Sequence, residues 1–413
     1  MKVNQWTLGL AAVGLVTLPA LMQAEEKLNP ILTAVTPTTI SGYVNTSIEW
    51  NPGTGNNNVP AFGLNKGKQD GFNLDVVNLT LEKPLDEAQW AAGYKAELLF
   101  GPDANTYFTQ SSGTTADFGI KQAYVSLRAP VGNGLDFKVG VWDTITGYEV
   151  FNAGSNPNYT RSYSWTIEPT TFTGILASYQ LCRFASVSAG VANSYGPGIH
   201  PGANPSANSN PPQAESYKTY LGGLTLTAPE DWGFLAGSAF YATIHNGYNA
   251  GTGSGGSDQT SYFAGATVNT PLKWLKVGAC YDYLGTTEHR FGTAYTHDTT
   301  FYANAFTLYG SMQVNEKLSV HLRGEYANTD TALLGSPENI PGGSQVVAAT
   351  ATVQYDLWKN VLSRLEFRWD HLAGPGGTDH QTYYGGTPAP GGAGTPGRLQ
   401  NYYTIALNLI YKF

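Results

Sequence analysis

The chain has 413 residues with 22 basic and 30 acidic side chains, a formal charge of −8. That acidic balance excludes a surface built to neutralise phosphates, so no nucleic-acid partner is expected. Charged residues make up 13% of the chain, against roughly 25% in soluble domains, while aromatic residues supply another 13% and there are 49 glycines, a composition unlike that of an ordinary soluble enzyme.

The N-terminus has the plan of an export signal. Lys2 precedes an uncharged apolar run from Leu8 to Met22, and Ala24 ahead of Glu25 and Glu26 offers a small-residue cleavage site, in a segment shorter than a membrane-spanning helix. The expected division is a signal peptide over 1–24, a periplasmic segment over 25–38 and one domain over 39–413. Removing the leader takes away Lys2 and leaves 21 basic against 30 acidic side chains. No later window stays apolar for the ~20 residues that a spanning helix needs.

From residue 39 onward, apolar and polar side chains alternate at every second position, the period of a strand with two different faces. Strands are predicted near 39–50, 71–82, 88–100, 116–128, 134–144, 171–182, 184–195, 215–228, 232–246, 259–270, 273–286, 300–314, 317–328, 345–357, 361–372 and 400–413. One strand with its connection takes about 24 residues, which suits membrane strands of ~9–11 residues with room for loops. Tight connections at 83–87, 129–133, 182–183, 229–231, 270–272, 315–316 and 359–360 alternate with long ones such as 196-GPGIHPGANPSANSNPPQA-214 and 373-AGPGGTDHQTYYGGTPAPGGAGTPGR-398. One edge of the sheet is therefore trimmed and the other elaborated. An open sheet in hydrocarbon would leave backbone groups unsatisfied, and closure removes the edges. The expected fold is all-β: a transmembrane antiparallel up-and-down β-barrel of about 16 strands, with short periplasmic turns and long outer loops, in the outer membrane of a Gram-negative bacterium. Counts of 14 or 18 strands stay open.

The last segment, 402-YYTIALNLIYKF-413, sets Tyr403, Ile405, Leu407, Leu409, Tyr411 and Phe413 on one face. In a barrel that face meets outer-membrane lipid and lipopolysaccharide. Tyr281, Tyr283, Tyr355 and Trp369 share the outward phase, and several lie near strand ends, where amphipathic rings favour the lipid–water boundary. A terminal Phe413 behind alternating apolar residues also resembles the sorting signal that the assembly machinery of outer-membrane barrels reads. That reading is compatible with an ordinary closing strand.

The opposite phase names pore-lining candidates. In 361-VLSRLEFRWDHL-372 it turns Arg364, Glu366, Arg368 and Asp370 inward, and in 318-LSVHLRGEY-326 it turns Ser319, His321, Arg323 and Glu325 inward. Basic side chains at the midplane of the lipid face would cost ~2–4 kcal/mol each; an aqueous lumen removes that cost. Between these strands, Ala348, Thr350, Thr352 and Gln354 are small or uncharged, so the flanking charges can project past them. Lys95 and Glu97 form a similar inward pair. Two roles are open: a charge lattice stiffening the wall, or a filter acting on solutes. The loop 143-DTITGYEVFNAGSNPNYTRSYSWTIEPTTF-172 carries Glu149, Arg161 and Glu168 among Tyr and Trp. It is the third long loop, the one that narrows sixteen-stranded general porins, so 143–171 is either an internal constriction or an external cap.

No catalytic, cofactor or metal site is expected. The histidines, at 200, 245, 289, 297, 321, 371 and 380, include no pair at helical metal spacing, and 251-GTGSGG-256 lies in a loop without the strand-to-helix context of a phosphate cradle. An outer-membrane hydrolase would need a Ser–His pair: Ser319 and His321 share the inward phase, Ser363 and His371 the outward one, but activation also requires an oriented third group. Cys182 at a turn and Cys280 five strands away are too far apart in a wide barrel for a disulfide.

The stretches 134-GLDFKVGVWDTITGYEV-150, 161-RSYSWTIEPTTFTG-174, 323-RGEYANTD-330, 364-RLEFRWD-370 and 409-LIYKF-413 together resemble the putative outer-membrane beta-barrel porin-2 (OmpL-like) family over nearly all the mature chain. The resemblance implies passive porin activity toward small hydrophilic solutes or ions, without ligand residues to carry over. A non-conducting structural or adhesin barrel is the alternative, and association as a homotrimer is left open. Deleting Phe413 is expected to slow assembly into the outer membrane, read as the unfolded fraction on cold electrophoresis; assembly at the normal rate removes the sorting role.

Overall fold

The computed structural model describes residues 38–53, 70–88, 90–107, 117–193, 218–249, 257–288, 299–329, 345–373, 387–389, 392–395 and 399–413. The expected leader over 1–24 and all but the last residue of the segment 25–38 lie outside them. The strands in chain order are β1 (Thr39–Trp50), β2 (Gly71–Lys83), β3 (Ala92–Phe100), β4 (Phe118–Ala129), β5 (Leu135–Asp143), β6 (Thr171–Cys182), β7 (Ala185–Ala192), β8 (Thr219–Thr227), β9 (Ala239–Asn249), β10 (Ser257–Asn269), β11 (Leu275–Glu288), β12 (Thr299–Gln313), β13 (Leu318–Thr329), β14 (Gln345–Trp358), β15 (Val361–Leu372), β16 (Thr387–Ala389), β17 (Gly392–Thr395) and β18 (Asn401–Lys412). Sixteen of them, β1 to β15 and β18, pair with their chain neighbours into one closed antiparallel barrel. Among the described residues no helix is long and apolar enough to cross a membrane; the strands do the crossing.

Closure joins β1 to β18, with Tyr43 opposite Lys412 and Trp50 opposite Ile405. The terminal residue completes this ladder: the Phe413 N–H donates to Gly42 O at 3.0 Å, and Phe413 O accepts from the Gly42 N–H at 2.9 Å. A Cβ on Gly42 would lie 2.7 Å from the Phe413 ring, so glycine is what lets the ring cross the seam.

The alternation holds as expected along β13, β15 and β18. Leu322, Leu365, Phe367, Leu407 and Leu409 are exposed on the outer face, while Arg323, Glu325, Arg364, Glu366, Arg368, Asp370, Thr404 and Asn408 are buried on the inner one. Exposed rings gather near both barrel ends: Trp50, Phe72 and Phe118 near the long loops, and Trp90, Trp232, Trp274 and Trp358 near the short turns. These are the two girdles of a barrel in a bilayer.

The expected bounds fail in three places. The strand predicted over 88–100 begins only at Ala92, because Trp90 takes φ of 61°. The strand predicted over 232–246 begins at Ala239, because a 3-10 turn over Glu230–Leu235, with Gly233 at φ of 60°, lengthens the tight turn expected at 229–231. The loop after β15, expected to be irregular, contains the short hairpin of β16 and β17.

Of the four register shifts among the described residues of the barrel, two bring extra polar side chains inside. The register between β1 and β2 shifts at Asn45/Thr46, and that between β3 and β4 at Glu97/Leu98. Each inserts an extra residue, so two consecutive side chains turn the same way: Asp75 and Val76 on β2, Lys121 and Gln122 on β4, all buried inside. Both strands thereby gain inward polar groups that a strict period would place in lipid.

Leu407 lies mid-strand on the outer face of β18, so Leu407→Arg is expected to cost about 2–4 kcal/mol in reversible unfolding from lipid vesicles. A cost near zero would show that this face does not meet hydrocarbon.

Candidate functional site

The connection 144–170 between β5 and β6 is the one long loop-edge connection described throughout, and its contacts are with the inner faces of the strands. Local chemistry shapes it. The Asn156 side chain bonds both the N–H and the carbonyl of Val150, at 2.8 and 2.5 Å, and Asn152 accepts from the Gly154 N–H at 3.0 Å. These Asx bonds turn the chain back at 152–156. Ser162 then caps the short helix α1 (Tyr163–Ile167), accepting from the Trp165 N–H at 3.1 Å.

The wall binds this segment through its backbone. Glu366 of β15 accepts the N–H groups of Tyr159 and Thr160 at 2.6 and 2.9 Å, and Glu325 of β13 accepts that of Tyr163 at 2.6 Å. Basic groups take the carbonyls. Arg364 donates to Ala153 O and Asn156 O at 2.8 and 2.6 Å, Arg323 to Thr160 O at 2.6 Å, and Arg368 to Arg161 O at 2.6 Å. Lys412 reaches Gly154 O at 3.1 Å. Acidic and basic wall residues thus sort the donors and acceptors of an extended chain, as a neighbouring strand would.

Ion pairs connect the same groups. Arg323 meets Glu149 at 2.9 Å and Glu325 at 2.6 Å, and Arg368 meets Asp370 at 2.8 Å and Glu325 at 3.5 Å. The last pair spans β14, whose Ala348 and Thr350 are small enough to let β13 and β15 charges touch. Arg161 is a staple within the segment, donating to Tyr159 O and Phe151 O at 2.9 and 2.6 Å. Side chains of Arg323, Glu325, Arg368 and Asp370 are 0% exposed. Charges so fully removed from water persist only when every partner is present.

Apolar contacts hold the remaining turns of the segment. Tyr163 and Ile167 pack with Leu284, Val346, Leu372 and Tyr402, while Phe151 and Ala153 pack with Tyr43, Leu99 and Ile410. Ile145 joins a third cluster with Trp142, Phe172, Leu221, Tyr241 and Phe263 on the β5–β10 side. Tyr148 stacks on Tyr309 with centroids 4.0 Å apart, and its hydroxyl lies 2.1 Å from where a Cβ on Gly278 would stand. Glu168 faces Asp282; burial first, and then that carboxyl and Glu149, push the Glu168 carboxyl well above the usual range.

The residues expected to line the pore fall into three places. Arg323, Glu325, Arg364, Glu366, Arg368 and Asp370 meet Glu149 and Arg161 in the network above. Lys95 and Glu97 belong to a second cluster: Lys95 lies 3.7 Å from Glu97 and 3.9 Å from Glu82, and Lys121 bridges Glu97, at 3.2 Å, to Asp143. His321 stands apart, its ring nitrogens facing Ser319 at 3.1 Å and Ser311 at 2.9 Å. Both nitrogens thus meet hydroxyls rather than an orienting carboxylate. His371 faces Asn401 while Ser363 bonds Tyr355 O, so that second Ser–His pair is not assembled. No group of three His, Cys, Asp or Glu among the described residues is placed to hold a metal ion.

Sequence reasoning missed Lys121 and Gln122, which both bond Glu97, because the bulge displaces their phase. It also missed Tyr159, whose hydroxyl donates to Glu49 of β1 at 2.7 Å, and His245, 3.2 Å from Thr146. Glu49, the one charged residue of β1 (TISGYVNTSIEW), was the available signal. Cys182 and Cys280 are free thiols on β6 and β11.

Comparison with curated proteins returns no sequence match. Among solved structures, the anion-selective porin from Comamonas acidovorans is 13% identical with a TM-score of 0.58, over 91% of this chain and 99% of that one. The outer membrane channel DcaP of Acinetobacter baumannii is 12% identical with a TM-score of 0.55, over 91% and 97%. A trimer form of in-vitro folded OmpT of Vibrio cholerae is 11% identical with a TM-score of 0.53, over 91% and 99%. At these identities the likeness is one of fold. The family model described as "Putative beta-barrel porin-2, OmpL-like" matches residues 37–413, and the chain belongs to that family of outer-membrane porins.

Proposed function

We propose that the protein is a passive channel for small hydrophilic solutes or ions, with 143–171 as its constriction. One observation carries the reading: the backbone of 153–163 is bound by side chains of β13, β15 and β18 that point into the barrel. A sixteen-stranded barrel is wide enough to leave a water-filled lumen, so a segment fastened inside it narrows the path without closing the wall. Transport then needs no cofactor and no covalent step. Solutes pass because contacts with the lining are weak enough to release them. The pore-lining assignment covers Lys95, Glu97, His321, Arg323, Glu325, Arg364, Glu366, Arg368 and Asp370, and the constriction assignment covers Glu149, Arg161 and Glu168. Export proceeds by cleavage of 1–24, insertion uses the barrel assembly machinery, and the channel associates as a homotrimer, as the trimer form of OmpT does; the mass of the detergent-solubilised protein measures the last.

A structural, non-conducting barrel is the second reading, and the dry packing around Arg323 and Arg368 favours it. Planar-bilayer recording separates the two. Single-channel steps support the channel; their absence from a correctly folded, inserted protein supports the structural barrel.

Trimming 152–160 is expected to raise single-channel conductance, and unchanged conductance would remove the constriction role. Arg323→Gln leaves Glu149 and Glu325 without their shared guanidinium, a loss of about 3–5 kcal/mol for a buried pair. The expected result is a loosened segment, seen as protease cleavage within 150–163 that the unaltered protein resists. Equal resistance would show that the ion pairs do not hold it.

A further inference from the structure

The outer face of the barrel is not evenly covered. On β13 and β14 the outward positions Gly324, Ala349 and Ala351 are small and adjoin one another, with Gly324 opposite Ala349 and Ala351 opposite Leu322. The next row toward the short turns carries Val353, Leu365 and Leu407 instead. The three small residues floor a groove with a cavity volume of about 610 Å³, within the ~300–1,000 Å³ of sites that take organic ligands. Nothing in the chain itself calls for glycine at 324: a Cβ there meets no atom within 4 Å, and its backbone is not left-handed. Glycine inside a strand weakens it and marks a place that something else approaches closely.

One wall of the groove is made of fixed rings. Phe367 stacks on Tyr403 with centroids 6.2 Å apart, and Trp369 on His371 at 5.6 Å. Asn401 ties the upper end, its Oδ1 accepting from Trp369 Nε1 at 2.9 Å and from His371 Nδ1 at 3.0 Å. Both bonds end on the oxygen, so the Asn401 amide nitrogen keeps its donor hydrogens on an exposed rim. A wall already rigid has little freedom to lose when a flexible chain lies along it. Asn401 opens β18 at the long-loop end and pairs with His371. From there to Phe367 is about 13 Å of strand, against roughly 15 Å for half the hydrocarbon core. The groove thus runs from the outer surface toward the midplane, the reach of an acyl chain in one leaflet.

We propose that this groove docks lipopolysaccharide of the outer leaflet, with one acyl chain over Gly324, Ala349 and Ala351 and a phosphate on the Asn401 amide and the protonated His371 ring. Within a bilayer, water drives no such contact; packing against a preformed surface and the polar rim supply the preference over bulk lipid. The site is independent of conduction through the lumen.

The test is a titration of the lipid-free, detergent-folded mature protein with deep-rough lipopolysaccharide, read by native mass spectrometry. The unaltered protein should hold one molecule per barrel. Ala349→Phe should raise the half-saturating concentration at least about tenfold, the factor for roughly ten lost atom-to-atom contacts, and Asn401→Ala about tenfold, that of one hydrogen bond to a charged group. Leu409→Phe, on the same face nearer the short turns, should leave it unmoved. Ala351→Phe replaces the first variant where Ala349→Phe does not fold. No bound lipopolysaccharide, binding unmoved by a filled groove, or tighter binding of phosphatidylethanolamine overturns the proposal. A multimer of the unaltered protein that Ala349→Phe dissociates also overturns it, because a second copy then fills the groove.

Discussion

Hydrocarbon offers a peptide group nothing to bond to, and every other feature of this molecule answers to that fact. A barrel is one of two arrangements that satisfy all backbone groups within a bilayer, and it must close to do so. Here closure falls between the first and last strands, Thr39–Trp50 and Asn401–Lys412, and the bonds between Phe413 and Gly42 carry the ladder to the final residue. Once the ring is closed, side chains have only two destinations. The outer one selects Leu, Val and aromatic residues by transfer free energy, and the inner one tolerates charge.

The same requirement reappears inside. A segment of some twenty-seven residues, 144–170, leaves the sheet and enters a space from which water is largely displaced, and there its peptide groups again need partners. No strand lies beside it. The wall substitutes charged side chains: carboxylates of Glu325 and Glu366 for N–H groups, guanidinium groups of Arg323, Arg364 and Arg368 for carbonyls. This explains why the two signs alternate along β13 and β15, since an extended backbone presents donors and acceptors in turn. The charges there hold the segment in place.

Much of this was legible in the residues. The inward set on β15, every second position from Arg364 to Asp370, follows from the period alone, because any one-residue slip would set four charges in lipid. A count of about sixteen followed from the segments of alternating hydrophobicity, with 14 or 18 left open until the barrel was seen to close on sixteen strands. What the period could not show is where it breaks. Lys121 and Gln122 both face inward because of a bulge, and Ala239 rather than residue 232 opens β9 because Gly233 adopts a left-handed backbone. The choice between an internal and an external 143–171 was also beyond a one-dimensional reading. It depends on pairs such as Asn158 with Thr352 and Tyr163 with Asp370, separated by about two hundred positions.

The segment is fastened to both sides of the seam. Tyr159 bonds Glu49 on the first strand, and Gly154 receives Lys412 from the last. Its berth is therefore complete only once the chain's final strand has arrived. Without strand Asn401–Lys412, Gly154 loses its bond to Lys412, and residues 153–163 keep only the groups of β1, β13 and β15.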